Sequence, residues 1–183
     1  MQKEIETRFL DIDKDNLIKK IIALGGIDKG EEKLEERIFY DNEMSWKGKG
    51  KFVRLRKTKG KVKLTYKNNQ KQTVDSAQKI ELEVSDFDKC TELFQNIGLK
   101  AIRQIEKYRH AFKIDDVTID IDMWPKIPVY AEIEGPSVES LKNICGKLGL
   151  DWDKRFDGDA LEVFSHYGHN MDNLSIITFG EFK

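Results

Sequence analysis

The sequence predicts an α+β fold: a closed, antiparallel, eight-stranded β-barrel, or tunnel, with a polar, charged interior and amphipathic helices packed outside it. Two observations support this prediction. Short stretches in which charged and apolar residues alternate recur along the chain, and a period of two is typical of strands with two different faces. Charged residues make up 36% of the 183 residues. This is clearly above the usual share, so the fold must provide a place for the surplus.

The composition argues against several classes of protein. The formal net charge is only −1, whereas a general nucleic-acid binder carries a basic excess. Aromatic residues reach 10% and apolar residues recur throughout, which disfavours disorder. The two cysteines, Cys90 and Cys145, fall on apolar helix faces and form no CxxC motif. With no signal peptide and no apolar run of membrane length, we expect a cytoplasmic protein without nucleic-acid or membrane partners.

Four segments show the apolar spacing of amphipathic helices. The spacing predicts helices over residues 14–24, 86–97, 138–148 and 159–167. Ser85 is the predicted N-cap of the second helix, and Gly98 is its predicted stop. Because each helix has a single apolar face, we expect all four to pack on the outside of the sheet.

The alternating segments predict the strands. Glu4, Glu6 and Arg8 interleave with Ile5 and Phe9 near the start of the chain. The same pattern recurs at residues 53–56, 61–67, 79–84, 107–110, 117–122 and 132–134. Hairpin turns are predicted at residues 58–61 and 115–116. The charges segregate by strand. Acids lie on the first strand and on the segments 117–122 and 132–134, which are the seventh and eighth strands. Bases lie on the segments 53–56, 61–67 and 107–110, which are the third, fourth and sixth strands.

The residues alone leave two interpretations of the charged strand faces open. The simpler one is an ordinary antiparallel sheet whose polar side faces water. The other is a barrel, since about eight strands enclose side chains or one small ligand. The density of the charges and the scarcity of Thr, Ser and Gln among them favour the barrel. Its interior would bind Mg²⁺ or Mn²⁺ through carboxylates and several phosphate groups through Arg and Lys.

Six short motifs resemble those of one known family. Glu4-Ile5-Glu6-Thr7-Arg8 is similar to the Glu-x-Glu-x-Lys signature of the CYTH superfamily, also called triphosphate tunnel metalloenzymes. The others follow in the family's order: Phe39-Tyr40-Asp41, Arg54-Leu55-Arg56, Leu64-Thr65-Tyr66-Lys67, Lys107-Tyr108-Arg109, and Asp122 followed by Glu132-Ile133-Glu134-Gly135. One such motif is common by chance, whereas six in order over residues 4–135 are specific. Residues 1–183 are predicted to form one CYTH-like domain, whose helical C-terminal part, 136–183, carries no matching motif.

The resemblance implies a metal-dependent enzyme acting on triphosphates, and it assigns roles to individual residues. The implied ligands of Mg²⁺ or Mn²⁺ are Glu4, Glu6, Asp122, Glu132 and Glu134. The implied phosphate-binding residues are Arg54, Arg56, Lys67, Lys107 and Arg109, and the catalytic candidates are Arg8, Lys67 and Lys107. Further candidates with less defined roles are Glu81, Glu83, Lys63, Arg103 and Asp120.

Arg8 departs from the family pattern, which has Lys at this position. Arginine stays protonated in proteins, so Arg8 can bind phosphate but cannot accept a proton from a nucleophile. If the reaction needs a base, the resemblance leaves that role to another lysine or to a metal-bound water.

The family contains three activities that fit these residues: hydrolysis of inorganic triphosphate, hydrolysis of thiamine triphosphate, and class IV adenylyl cyclase, which converts ATP to cyclic AMP and pyrophosphate. All three share the tunnel motifs. We rank a triphosphate hydrolase first and keep the cyclase as the alternative, because residues 121–134 and the chain length resemble the cyclase-named bacterial branch. A non-catalytic module that binds nucleotides or polyphosphate is a third interpretation. The implied ligand is ATP, inorganic triphosphate or thiamine triphosphate, and a homodimer is left open.

Overall fold

The computed structural model describes residues 5–69 and 77–183, so the metal candidate Glu4 lies outside the described residues. Nine strands occur in these ranges: β1 (Ile5–Phe9), β2 (Ile27–Asp41), β3 (Lys51–Thr58), β4 (Lys61–Asn69), β5 (Ala77–Val84), β6 (Leu99–Ile114), β7 (Val117–Met123), β8 (Tyr130–Gly135) and β9 (Ile176–Ile177). The helices are α1 (Lys14–Ala23), α2 (Phe87–Asn96), α3 (Val138–Leu148) and α4 (Ala160–His166). Short 3₁₀ helices cover Trp152–Lys154 and Met171–Asn173.

The four predicted helices are all present, each within one residue of its predicted ends. β6 has 16 residues and is much longer than the alternating segment predicted at residues 107–110. β2 has 15 residues, and no alternating segment was predicted over its range. Within the described part of the chain, no helix has both the length and the apolar character needed to cross a membrane.

The strands form one sheet in the order β1-β8-β7-β6-β2-β3-β4-β5, and β9 pairs with β6. The pairs β1–β8, β8–β7 and β7–β6 are antiparallel, as are β2–β3, β3–β4 and β4–β5. β9 runs parallel to β6.

The predicted α+β fold is confirmed, but closure and the strand number of the predicted eight-stranded barrel are not. Hydrogen bonds between described residues do not join β5 to β1, the two ends of the sheet, so closure is not confirmed. The sheet also has a ninth strand, Ile176–Ile177. Two residues are too few for an alternating pattern to reveal, and their pairing with β6 depends on tertiary contact.

The chain contains two compact units, and the first comprises the residues up to Glu32 together with Lys107–Asp172. In this unit α1 and α3 cover the apolar face of the sheet, as predicted. The core contains, among others, Phe9, Leu17, Ile21, Phe112, Ile119, Ile121, Ile133, Leu141, Cys145 and Leu148. Because alternate strand residues point to opposite faces, this packing directs the charged residues of β1, β7 and β8 to the other face.

The second unit comprises Lys33–Glu106 and Asn173–Lys183. Here α2 covers the apolar face formed by β2, β3 and β4, and the rings of Phe39 and Phe94 meet edge to face at 5.4 Å. Val53, Leu55 and Val62 complete the buried cluster. Arg54 and Arg56 of β3 and Lys63 and Lys67 of β4 lie on the opposite face.

Both predicted hairpin turns are confirmed. Thr58 and Lys61 are partners across a two-residue loop, in which Lys59 and Gly60 have φ angles of 42° and 78°. Positive φ at both central positions is the geometry of a type I′ turn, which sets the register of the two strands. Asp115, with φ of 53°, begins the second loop.

The N-cap of α2 is Asp86 and not Ser85, the residue predicted from the sequence. The Asp86 carboxylate accepts hydrogen bonds from the backbone amides of Asp88 and Lys89 at 3.0 and 2.9 Å. Both residues are good caps, and only the position at which the backbone turns helical decides between them.

We expect Asp86→Ala to lower the melting temperature by about 2–4 °C, the usual consequence of losing a cap in a chain of this length. Ser85→Ala should leave it within about 1 °C, because surface substitutions away from such features have little effect. Thermal unfolding followed by circular dichroism measures both. A larger drop for Ser85→Ala than for Asp86→Ala would contradict the assignment.

Candidate active site

The charged face of the first unit consists of three rows of facing residues on β1, β8, β7 and β6. Directly opposed residues of antiparallel strands project to the same side of the sheet. One row places Glu6, Glu134 and Thr118 side by side. The next contains Arg8, Glu132 and Asp120, and the third contains Tyr130, Asp122 and Arg109. Carboxylates from three strands thus share one face with two arginines.

Arg109 is the centre of an ion-pair network. Its Nε and Nη2 donate to the two oxygens of Asp122 at 2.6 and 2.7 Å. Nη1 donates to Asp120, and Nη2 also lies 3.3 Å from Glu132. The carboxylates raise the pKa of the Arg109 guanidinium further above its already high value, against the opposing effect of burial. One guanidinium therefore neutralises carboxylates from two strands.

Asp122 is fully buried, with a side-chain exposure of 0%, and it has a second cationic partner in Lys107 at 2.8 Å. Burial alone would raise the pKa of the Asp122 carboxyl, but Lys107 and Arg109 outweigh it and hold that pKa well below its usual value. Asp120 shows the opposite balance. Burial and the neighbouring carboxylates raise its pKa despite Arg109. Two carboxyl groups on one strand thus differ because Asp122 accepts hydrogen bonds from both Lys107 and Arg109, whereas the effects of burial, Asp122 and Glu132 on Asp120 outweigh those of its cations.

Arg8 is held from three sides. It donates to Glu132 at 2.6 Å, to Glu6 at 3.0 Å and to the carbonyl oxygen of Gly158 at 2.6 Å. Burial would lower the pKa of the guanidinium, but Glu132 and Glu6 outweigh it, so the pKa is raised. Arg8 is therefore a fixed cation on the charged face.

The chain after α3 returns to the edge of β1. Phe156 and Arg8 exchange backbone hydrogen bonds at 2.9 and 2.7 Å. Asp157 accepts a hydrogen bond from the Thr7 hydroxyl at 2.7 Å. The C-terminal part, in which the sequence shows no motif, thus supplies the Gly158 carbonyl that positions Arg8.

Two aromatic residues of this face were missed by the sequence analysis. Tyr130 is 1% exposed, and burial together with Asp122 and Glu132 raises the pKa of its hydroxyl. The ring of Trp124 lies 4.6 Å from the Lys107 ammonium, a cation–π contact. The sequence spacing could have indicated both residues. Trp124 lies two residues after Asp122 and Tyr130 lies two residues before Glu132, and residues two apart in a strand share a face.

The carboxylates of this face have the right chemistry for a hard divalent cation, because Mg²⁺ and Mn²⁺ prefer oxygen ligands. Glu6 and Glu134 are direct cross-strand neighbours, and Glu132 lies in the adjoining row. Residues 5–69 and 77–183 contain no group of three or more acidic, His or Cys ligands arranged to hold a metal ion. The carboxylates of Glu6, Glu132, Asp120 and Asp122 are directed at Arg8 or Arg109 instead, so a bound cation would share them with these guanidinium groups.

The second unit carries its own charged face. The Arg56 Nε donates to Glu36 at 2.6 Å, and the two residues are register partners on β2 and β3. The Lys63 ammonium donates to Glu81 at 3.1 Å. This hydrogen bond is the main reason why the pKa of the Glu81 carboxyl is lowered. The sequence analysis missed Glu36, which belongs to a strand whose length it did not predict.

Four further candidates predicted from the sequence belong to the second unit: Arg54, Lys67, Glu83 and Arg103. Arg54 faces Thr65 across β3 and β4, and Glu83 faces Lys63 across β4 and β5. Lys67 lies two residues beyond Thr65 on the same face of β4. Arg103 is 8% exposed and its Nε donates to the carbonyl of Leu174, so it anchors the C-terminal segment.

The charged rows and the order of the motifs agree with the result of a family comparison. The family model described as the CYTH domain matches residues 2–161. The chain belongs to the CYTH family. The matched stretch contains all six motifs that predicted this membership, so that prediction is confirmed.

The matches between this CYTH protein and its relatives extend over nearly its whole length. A curated protein of Methanocaldococcus jannaschii named "Putative adenylate cyclase MJ0240" is 23% identical over 173 residues, 93% of each chain. The solved structure of the PH1012 protein from Pyrococcus horikoshii is 25% identical, with a TM-score of 0.71, and the match covers 88% of this chain and 99% of that one. A Vibrio parahaemolyticus protein with a similar cyclase name has a TM-score of 0.76 at 16% identity, over 90% and 98% of the two chains.

Proposed function

We propose that this CYTH protein hydrolyses a phosphoanhydride bond of an inorganic or organic triphosphate with the help of Mg²⁺ or Mn²⁺. Proteins of the family are triphosphatases or adenylyl cyclases, so a triphosphate is the substrate class in either case. The observation that carries the proposal is the separation of charge into rows. The first unit presents the carboxylates of Glu6, Glu132 and Glu134 on one face, and the second presents Arg54, Arg56 and Lys63 on one face.

The carboxylates of the first unit are the proposed cation ligands. Glu6, Glu132 and Glu134 would bind the ion, with Asp122 and Glu4 as the further ligands that the family resemblance implies. A bound divalent cation neutralises charge on the phosphates and polarises the phosphoryl group. Asp122 is the least available of these ligands, because Lys107 and Arg109 already occupy both of its oxygens.

The bases are the proposed phosphate ligands. The family resemblance implies phosphate binding by Arg54, Arg56 and Lys67, which belong to the second unit, and by Lys107 and Arg109, which belong to the first. Their guanidinium and ammonium groups would stabilise the charge that develops during phosphoryl transfer. Arg8 would hold Glu6 and Glu132 in place and add positive charge. It cannot remove a proton, so Lys67, Lys107 or a metal-bound water would have to act as the base.

The alternative function is that of an adenylyl cyclase, which is favoured by the name of the Methanocaldococcus jannaschii relative. Product analysis separates the two. The protein is incubated with Mg²⁺ or Mn²⁺ and either inorganic triphosphate or ATP. We expect orthophosphate from inorganic triphosphate. Cyclic AMP with pyrophosphate from ATP would instead establish the cyclase, and absence of any product would leave a binding module.

A phosphate-length series tests the proposed binding residues. Affinity should rise steeply from orthophosphate to pyrophosphate to triphosphate, because each added group engages further bases. Arg56→Ala should weaken triphosphate binding about ten-fold, the usual loss with one charged hydrogen bond. It should weaken orthophosphate binding much less. Arg56→Lys should recover part of the loss, because the planar fork is missing.

Isothermal titration at fixed salt and in the presence of EDTA measures this series, because the triphosphate is not turned over without metal. The control is Arg37→Ala, since Arg37 belongs to the same unit and pairs with exposed Asp88 at 3.5 Å. Equal binding of the three phosphates, or an equal small loss for Arg56→Ala and Arg37→Ala, would contradict the assignment of Arg56.

A further inference from the structure

Glu36 is a buried carboxylate that the family resemblance does not assign to any role. It is 4% exposed, although glutamate is almost never buried unless it is paired. Its Oε1 accepts a hydrogen bond from the Nε of Arg56 at 2.6 Å. We propose that Glu36 is a positioning residue, which holds the Arg56 guanidinium in the orientation that binds the phosphate chain. This inference rests on the proposed function.

The hydrogen bond is made by the inner end of the guanidinium. Arginine presents five N–H donors in a planar fork, and a carboxylate bound at Nε leaves the two terminal nitrogens for a second anion. The side chains of Glu36 and Arg56 are 5% and 23% exposed, so the pair has a buried end and an accessible end. Among the described residues, Glu36 is the only ionic partner of Arg56. A phosphate can therefore meet the terminal nitrogens without displacing the carboxylate.

The strand register strengthens this geometry. Glu36 and Arg56 are directly opposed on β2 and β3, so both Cβ positions are set by the ladder. The Arg56 side chain is then fixed at its Cβ by the ladder and at its Nε by the hydrogen bond, which removes most of the rotational freedom of the guanidinium. Binding an anion costs less when the donor is already ordered.

The neighbouring pair on the same face shows the contrast. Lys63 faces Arg56 on β4 and donates to Glu81 at 3.1 Å, but these two side chains are 43% and 36% exposed. Exposed pairs of flexible side chains are held weakly and screened by salt. Burial distinguishes the Glu36–Arg56 pair as the one that can fix a donor.

The negative charge of Glu36 has an opposite effect on the same ligand. It repels phosphate, whereas the hydrogen bond orients the base that binds phosphate. Two variants separate these effects. Glu36→Asp keeps the charge and withdraws the acceptor by one methylene, and Glu36→Leu removes both while filling the space.

The experiment titrates inorganic triphosphate into the full chain in the presence of EDTA, which prevents metal-dependent turnover. We expect Glu36→Asp to weaken binding about ten-fold, close to the loss from Arg56→Ala. Glu36→Leu should weaken it less, because this change also removes the charge that repels phosphate. In an Arg56→Ala background, neither change should alter affinity by more than about two-fold, because there is no guanidinium left to position. The matched control is Glu106→Leu, since Glu106 pairs with Lys33 at 2.8 Å in the same unit.

A second readout follows the guanidinium itself. The Nε–H resonance of Arg56 in a nitrogen–proton correlation spectrum should move in Glu36→Asp and should exchange faster with water. Binding equal to or tighter than wild type in Glu36→Asp, or equal losses with and without Arg56, would overturn the inference. If Arg56→Ala itself leaves triphosphate binding unchanged, the proposed function fails at this residue. If only the Glu36 variants leave it unchanged, the positioning role alone fails.

Discussion

Asp122→Asn is expected to destabilise the protein by about 3–5 kcal/mol, the usual cost of removing one partner from a buried ion pair. Asp122 is 0% exposed, and Lys107 and Arg109 both donate to it. The amide keeps the size of the side chain but leaves two buried cations with less opposing charge. Urea unfolding followed by circular dichroism gives the free energy of unfolding for both proteins.

The control for this variant is Glu31→Gln in the same unit. Lys14 and Glu31 are as close as the buried pairs, at 2.6 Å, but their side chains are 27% and 40% exposed. We expect a loss below about 1 kcal/mol, because solvent and salt screen such pairs. Similar losses in the two variants would contradict the view that burial gives the Asp122 network its strength.

The difference between wild type and Asp122→Asn should also depend on pH. The native-state pKa of Asp122 is depressed, so the ionised carboxylate stabilises the folded state at pH values above its unfolded pKa of about 3.9. This contribution is lost as the pH falls below that value toward the lower native pKa. The stability difference should therefore be constant near neutral pH and shrink in acid.

Glu134→Gln is expected to weaken the binding of Mn²⁺ by more than about 100-fold, since the loss of groups that merely orient a metal ligand already costs 10–100-fold. The change keeps size and removes one oxygen anion. Glu134 faces Glu6 directly across β8 and β1, so the variant leaves a single carboxylate in that row. Calorimetric titration of Mn²⁺ into the two proteins measures the effect.

The control is Glu139→Gln, an exposed glutamate in the first turn of α3, which should bind Mn²⁺ like wild type. Glu132→Gln does not isolate metal binding, because Glu132 also forms an ion pair with Arg8 at 2.6 Å. It should lose both metal affinity and stability. Unchanged Mn²⁺ binding in Glu134→Gln would exclude this residue as a ligand.

The sequence was informative wherever a local pattern decides the structure. Alternation along residues 117–122 predicted a strand with one charged face, and β7 has Asp120 and Asp122 on one side and Ile119 and Ile121 in the core. Helical spacing predicted α3 at its observed bounds. The order of short motifs predicted the CYTH family, because a motif requires only that certain residues follow one another.

The sequence could not assign partners to the charged residues. Asp122 was predicted as a metal ligand from its motif, and the structure pairs it with Lys107 and Arg109. The sequence did not single out Glu36, Tyr130 and Trp124. Their place in the charged networks follows from their burial, and burial depends on neighbours distant in the chain. The ninth strand was missed because it depends on contact with β6. The N-cap of α2 was missed because Ser85 and Asp86 are both good caps, and the exact point at which the backbone turns helical decides between them.

The sequence by itself thus determined the family, the four helices and the two-faced character of the strands, since these follow from residue type and spacing over short distances. Only the tertiary structure decided which charges neutralise one another. An ion pair depends on distance and burial, and residues such as Arg8 and Glu132, 124 positions apart, become neighbours through the pairing of β1 with β8. The separate bridge between Arg8 and Phe156 brings the Gly158 carbonyl to Arg8 and so fixes this guanidinium on the charged face.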